Sequence, residues 1–290
     1  MADTVLETVG LTKSYGSLKA VNNFTINLES NKIYGLLGRN GAGKTTFLDL
    51  ITSRIFADSG DIRILGQNAV ENQELLPKLC YMPEKNLFIP TMRVADILQA
   101  AAGFYDDFDM DYANQLCAKF ALDMKKKYRT LSRGYESILR IVIGLASRTP
   151  LTIFDEPVLG LDAAVRDLFY RELLEDYTNN PRTFIVSTHL IEESADVFEK
   201  ILIIKDGALV ECLPVDELKE KARYISGKAA IVDEVVTGMK VIFSEIVGNV
   251  KICAVYGELT DEQLKKLPDY EVDISPIPVQ KLFIYLTNNN

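Results

Sequence analysis

The sequence predicts an α/β fold followed by a smaller C-terminal unit, and three observations carry that prediction. The first is a glycine-rich stretch, GRNGAGKTT at 38–46, with an apolar run of strand length before it (33–37). Phe47, Leu48 and Ile51 follow it at helical spacing, which makes a strand–loop–helix unit. The second is a pair of short apolar runs, LTIFD (151–155) and TFIVST (183–188), each leading into acidic or imidazole side chains. Buried strands of parallel sheets read this way. The third is a change of pattern after Pro214, where a charged stretch gives way to separate apolar runs.

Taken in order, 4–31 reads as strand-rich: Val5, Leu6 and Val9 lead to a turn-like SYGS at 14–17, and Phe24, Ile26 and Leu28 then alternate with polar residues. GDIRILG (60–66) and Leu79–Met82 read as further strands, broken by Pro83, Glu84 and Lys85. Between 91 and 149 the apolar period becomes helical, through Val94, Ile97, Leu98 and Ala101, an acidic stretch at 106–111, and a second helix at 112–124. A third helix places Ile138, Ile141, Val142 and Leu145 on one face. The segment 160–177 begins as a loop, with Asp162 as a helix N-cap or a partner contact, and continues as a helix burying Leu168, Phe169, Leu173 and Leu174. Two apolar runs around Asp206-Gly207 predict a hairpin at 200–211. Beyond Pro214 the expectations are a charged helix at 216–224 and strands at 229–232, 239–247 and 250–256. A capped helix over 260–267, a strand at 271–275, and a last helix after Pro278 carrying Leu282, Phe283, Tyr285 and Leu286 complete the chain. The boundaries expected are 1–213, with a helical part at about 91–149, and 214–290; the 288–290 end is expected to fray.

The chemistry starts at the glycine-rich loop. Successive backbone N–H groups at a helix N-terminus form a cradle for phosphate, and glycines at Gly38, Gly41 and Gly43 keep side chains out of the way. Lys44 is placed to reach the β- and γ-phosphates, and the Thr45 hydroxyl to bind Mg²⁺. Asp155, at the end of a buried strand, can hold Mg²⁺, and Glu156 beside it can polarise a water attacking the γ-phosphorus. His189, the sole histidine, follows another strand and so falls in the same crevice of a parallel sheet, in reach of a γ-phosphate. Ser132 and Gly134 precede a helix: they are an ordinary N-cap or a hydroxyl and N–H pair offered to an anion. Tyr15 either packs as a loop tyrosine or stacks on adenine.

Composition narrows the classes. The 290 residues suffice for one large or two smaller domains, and 48% apolar with 25% charged content is that of a globular chain. A net charge of −9 argues against nonspecific nucleic-acid binding and against adhesion to an anionic membrane surface. No apolar run approaches the roughly 20 residues of a bilayer span, and MADTVLETVG lacks the marks of a signal peptide. The four cysteines are far apart in apolar company, which suits reduced core residues in the cytosol.

Together these residues resemble the ATP-binding subunit of a bacterial ABC transporter. The resemblance spans about 4–213 and rests on several motifs in order. Tyr15 matches the adenine-stacking aromatic, 38–46 Walker A, LSRGY (131–135) the signature motif, 151–156 Walker B with its catalytic glutamate, 160–162 the D-loop, and His189 the switch histidine. The last helix, PVQKLFIYLT, is similar to that of exporter-type ATPases with a C-terminal extension, and the LSRG and FDEPVLGLD wording to an antibiotic- or envelope-response subgroup. Three positions depart from the pattern: Arg133 where Gly is usual, Tyr135 where Gln is usual, and Glu84 where the Q-loop has Gln. The fold implied is a P-loop NTPase: a RecA-like core with an antiparallel β-subdomain and an α-helical subdomain, plus a small C-terminal α+β domain.

The resemblance implies that ATP and Mg²⁺ are held by Tyr15, Gly38, Asn40, Gly41, Ala42, Gly43, Lys44, Thr45 and Thr46, with Thr45, Asp155 and Glu84 toward the metal. Glu156 and His189 would be catalytic, and Ser132 and Gly134 would close the site of a second subunit packed head to tail. It implies a homodimer, or a heterodimer with a second ABC ATPase, bound to a transmembrane permease on the inner face of the cell membrane and powering export. It implies no nucleic-acid partner. A ribosome- or DNA-acting ABC ATPase, or a regulatory module with little hydrolysis, is the alternative.

Overall fold

The computed structural model describes residues 3–85, 88–257 and 271–288, and the chain divides into two compact units, Met1–Cys212 and Leu213–Asn290. The first begins with an antiparallel sheet. β1 (Thr4–Tyr15) pairs with β2 (Leu18–Glu29) in a register that sets Leu6 opposite Leu28 and Thr8 opposite Ile26, and β4 (Ser59–Ile64) and β5 (Gln67–Asn68) extend it in the order β2-β1-β4-β5. Alternation along β2 buries Phe24, Ile26 and Leu28 on one face. Tyr15 is the last residue of β1 rather than part of a loop, and is 53% exposed.

The second sheet positions the site. β3 (Ile33–Gly38), β6 (Leu79–Met82), β7 (Leu151–Asp155), β8 (Thr183–Thr188), β9 (Lys200–Lys205) and β10 (Ala208–Pro214) lie in the order β10-β9-β3-β8-β7-β6. β3, β7 and β8 are buried along their whole length, as strands with both faces covered must be. Parallel pairing sets Leu37 opposite Thr188 and Asp155 opposite Ser187, so the C-terminal ends of all three open on one edge. In such sheets ligands bind at that edge. The turn between β9 and β10 has positive φ at Asp206 (50°) and Gly207 (76°), the backbone of a tight hairpin turn.

Between β6 and β7 lie α2 (Val94–Phe104), α3 (Met110–Lys119) and α4 (Arg133–Ala146). Every residue of α4 from Ser137 onward is buried, Arg140 included. The helix expected at 112–124 is displaced to 110–119 because the Asp109 side chain accepts from the Tyr112 N–H and so caps it earlier. In α5 (Ala163–Asn179) Phe169 and Leu173 are buried as expected, but Leu174 is 40% exposed. Its place inside is taken by Tyr170, Glu172 and Asp176: the Lys119 ammonium donates to Glu172 at 2.6 Å, and the Arg182 guanidinium forms an ion pair with Asp176 at 2.6 Å. Buried carboxylates persist only with such partners.

A short helix, α6 (Ile191–Ser194), follows β8, and in the second unit α7 (Val215–Glu220) is shorter than the helix expected at 216–224. Residues from Ala222 form β11 (Ala222–Lys228), which pairs along its length with β13 (Val250–Tyr256) and on its other side with β14 (Val272–Pro276). β12 (Val241–Val247) completes the order β12-β13-β11-β14. The strand expected at 229–232 is instead the first turn of α8 (Ala229–Val235). Val232 and Val235, three residues apart, are packed on Ile225, Cys253 and Val255, a helical period that the local apolar run disguised. α9 (Val279–Thr287) follows Pro278, with the Tyr285 ring stacked on Phe243 at 4.4 Å. The capped helix expected at 260–267 lies outside the described residues, as do 289–290. No helix among the described residues is long and apolar enough to cross a membrane.

Candidate active site

The loop after β3 takes its shape from its glycines. Gly41 has φ 80° and Gly43 φ 104°. A methyl on Gly43 would meet the Ala20 carbonyl oxygen at 2.1 Å, so β2 touches the loop where only glycine fits. The hairpin turn of β9–β10 braces the same place: the Gly207 N–H donates to the Ala42 carbonyl at 3.0 Å and its own carbonyl accepts from the Asn22 N–H at 2.8 Å. α1 (Lys44–Ile51) starts directly after Gly43, and its free N–H groups and positive dipole end are the fixed attraction for an anion.

A cleft of about 580 Å³ gathers what the sequence separated. Its walls include Tyr15, Asn40, Gly41, Gly43, Lys44, Thr45, Thr46, Glu84, Asp155, Glu156 and His189. Gly38 and Ala42 lie beneath the loop, both buried. Leu18, Ala20, Arg39 and Leu159 also line the cleft; Leu18 and Ala20 stand in no motif, and Arg39 and Leu159 fall at positions of the quoted stretches that carry no fixed residue type. Ser132 and Gly134 do not line it. Gly134 sits against the 156–162 loop, where a methyl on it would come within 3.0 Å of the Gly160 carbonyl. Ser132 caps α4 by accepting from the Tyr135 N–H at 3.4 Å, and Asp162 caps α5 by accepting from the Val165 N–H at 3.0 Å.

The charged groups form one chain. The Lys44 ammonium donates to the Gly38 carbonyl at 2.7 Å and stands 3.8 Å from Glu156 Oε1. His189 Nδ1 is 2.9 Å from Glu156 Oε2. Glu156 is 8% exposed and has left-handed φ of 50°, an unfavourable backbone for a non-glycine residue. Its N–H donates to the Ser187 carbonyl on the neighbouring strand at 3.0 Å, which holds the strained residue with its carboxylate in the cleft. Burial pushes that carboxyl above its ordinary value of 4.5, opposed by the charges of His189 and Lys44. A carboxylate with raised proton affinity is suited to accept a proton near neutral pH.

Asp155, 1% exposed, accepts from the Thr45 hydroxyl at 3.0 Å through Oδ2, while its Oδ1 is buried without a partner. A hydroxyl and an unsatisfied carboxylate oxygen side by side are the donor set of a hard divalent cation. Among the described residues no cluster of three or more acidic, His or Cys side chains is built to hold a metal by itself. The four cysteines are free, three of them buried.

The family model for ABC transporters matches residues 21–159. The chain is 31% identical over 217 residues to the ABC transporter ATP-binding protein YtrB of Bacillus subtilis, covering 75% of this chain and 74% of that one. It is 32% identical over 225 residues to the bacitracin transport ATP-binding protein BcrA of Bacillus licheniformis, covering 76% and 73%. The fold is that of an ATP-binding subunit of an ABC transporter (TM-score 0.68, 23% identity, 75% of this chain and 92% of that). It is also that of the dimeric cassette MJ0796 bound to ADP and Pi (TM-score 0.65, 20% identity, 72% and 98%). With relatives of this identity over three quarters of its length, the chain belongs to the ABC transporter ATP-binding proteins, the ATPase subunits of such transporters.

Proposed function

We propose that this cleft hydrolyses MgATP with Glu156 as the general base, and that the chain drives an exporter by ATP-dependent closure of two cassettes. The observation that carries the reading is the coincidence of Lys44, Thr45, Asp155, Glu156 and His189 around one cradle, with Glu156 between the ammonium and the imidazole.

Lys44 is held by the Gly38 carbonyl and stands beside Glu156. Phosphate entering the cradle draws Lys44 to itself and leaves Glu156 with His189. Glu156 then accepts the proton of a water whose oxygen bonds to the γ-phosphorus as the bond from that phosphorus to the β–γ bridging oxygen breaks and ADP leaves, and His189 holds the other carboxylate oxygen and fixes the direction of the lone pair. Thr45 and Asp155, with Glu84 at the rim, would hold Mg²⁺, which would supply positive charge against the phosphate oxygens. Tyr15, exposed at the cleft mouth, offers its ring to adenine.

The placement of Ser132 and Gly134 outside their own chain's cleft supports a composite site, in which they face the phosphates bound by a second cassette. The partner is a transmembrane permease, which holds the chain at the cytoplasmic face of the membrane, and residues from Leu213 onward form an accessory domain. The likeness to the bacitracin transport ATP-binding proteins supports a transport role, and export is the direction proposed. Glu156→Gln tests the reading: it should accumulate an ATP-dependent dimer, read as a doubled mass by light scattering. A variant that stays monomeric with ATP bound would remove the two-cassette mechanism.

A further inference from the structure

Arg140 is buried in α4, 7% exposed, and its charge is met by neutral oxygens. Nη1 donates to the Pro83 carbonyl at 2.6 Å and Nη2 to the Ser137 hydroxyl at 2.8 Å, while Nε has no partner. Ser137, 1% exposed, passes the contact on by donating its hydroxyl to the Leu159 carbonyl at 3.0 Å. Pro83 immediately precedes Glu84, and Leu159 closes the turn that starts at Glu156, its N–H donating to the Glu156 carbonyl at 3.3 Å. Glu84, Glu156 and Leu159 all line the cleft. Two cleft loops, one at Pro83–Glu84 and one at Glu156–Leu159, are thus tied to one guanidinium, directly at the Pro83 carbonyl and through Ser137 at the Leu159 carbonyl.

The chemistry of the tie explains why an arginine is there. Burying a charge without a carboxylate is unfavourable, and a hydrophobic side chain would fill the same space more cheaply. Only the planar fork of arginine addresses two acceptors on different segments at once. The carboxylates around it are Glu136 from its own helix and Glu84 and Asp155 from the cleft.

We propose that Arg140 is a positioning residue for hydrolysis: by holding Pro83 directly and Leu159 through Ser137, it makes the Glu84 loop and the Glu156 loop move as one unit. The inference rests on the cleft being the site of hydrolysis. It places a coupling on two buried side chains outside the lining of the cleft.

The test measures ATP turnover per bound nucleotide by the full-length chain, with Arg140→Met, Ser137→Ala, the double variant, and Glu156→Gln beside them. Arg140→Met should lower kcat about tenfold, as small displacements of a catalytic group do, with KM for ATP within twofold of wild type. Ser137→Ala, a small change that breaks only the Leu159 arm, should lower kcat in the same direction. The double variant should be no worse than Arg140→Met, because both act on one tie. Arg140→Lys, with a charge but no fork, should rescue kcat only in part. If both single variants keep kcat within twofold of wild type, or if their losses multiply in the double variant, the proposal is overturned. Should Arg140→Met fail to fold, Ser137→Ala alone decides. A Glu156→Gln variant that turns over normally would remove the underlying assignment. A dead Glu156→Gln beside a fully active Arg140→Met would remove only this one.

Discussion

Thr45→Val isolates the pair that would hold the cation. The substitution keeps the shape of the side chain and removes one hydroxyl. That hydroxyl donates to Asp155 Oδ2 at 3.0 Å, and Oδ1 already lacks a partner, so a carboxylate 1% exposed would be left without a side-chain donor. A lost hydrogen bond to a buried charged group is worth about 1.5–3 kcal/mol. For a unit of this size each kcal/mol moves Tm by about 2–4 °C, so the ligand-free protein should melt about 3–12 °C lower. The second half of the prediction concerns MgATP. At 100 times Kd a ligand stabilises by about 2.7 kcal/mol, which in wild type should raise Tm by about 5–11 °C. Thr45→Val should lose the part of that rise that depends on Mg²⁺, while keeping the part ATP gives in the presence of a chelator. The assay is thermal unfolding with and without ATP, Mg²⁺ and chelator. An undiminished Mg²⁺-dependent rise in the variant would refute the assignment of Thr45 and Asp155.

Further predictions follow from the same geometry. Gly43→Ala should destabilise by about 2–5 kcal/mol, from a strained positive φ and overpacking against the Ala20 carbonyl 2.1 Å away, and should abolish ATP binding in calorimetry. Tyr15→Ala should weaken ATP five- to tenfold or so without changing kcat, since a stacked base is worth about 1–3 kcal/mol and this ring is half exposed. The kcat–pH profile should fall on its acid side with a midpoint above 4.5, because burial raises the Glu156 carboxyl and the base works only when ionised. The sign for stability is the opposite. Folding favours the protonated form, so this group's contribution is present below the ordinary value and lost as pH rises through the folded one. Glu156→Gln, which imitates the protonated form, should therefore melt above wild type at pH 8 and no higher at pH 4.

Much of the site was legible because backbone geometry restricts residue choice. Gly41 and Gly43 occupy positive φ at a phosphate cradle, and few residues other than glycine serve there. Asp155 and His189 were placed by the rule that parallel strands open on one edge, once the apolar runs before them were read as strands. What the sequence hid was tertiary. Nothing at Gly207 or Ala20 announces that they brace the loop, and Arg140 gains meaning only when Pro83 and Leu159 arrive beside it. The misread strand at 229–232 has a physical cause: Ala-Ala-Ile-Val carries β-branched residues that fit either element, and burial of Val232 and Val235 on one face settled the matter. Leu174 was assigned to the core by hydrophobicity, yet Glu172 and Asp176 lie inside instead because Lys119 and Arg182 neutralise them.

The most direct measurement of the central claim is single-turnover hydrolysis of γ-labelled ATP at saturating enzyme by wild type and Glu156→Gln. If Glu156 is the base, the variant should bind ATP as tightly as wild type and release phosphate at least 100-fold more slowly, in line with the typical contribution of a positioned base of about 10²–10⁴. Equal phosphate release by the two proteins would contradict the account.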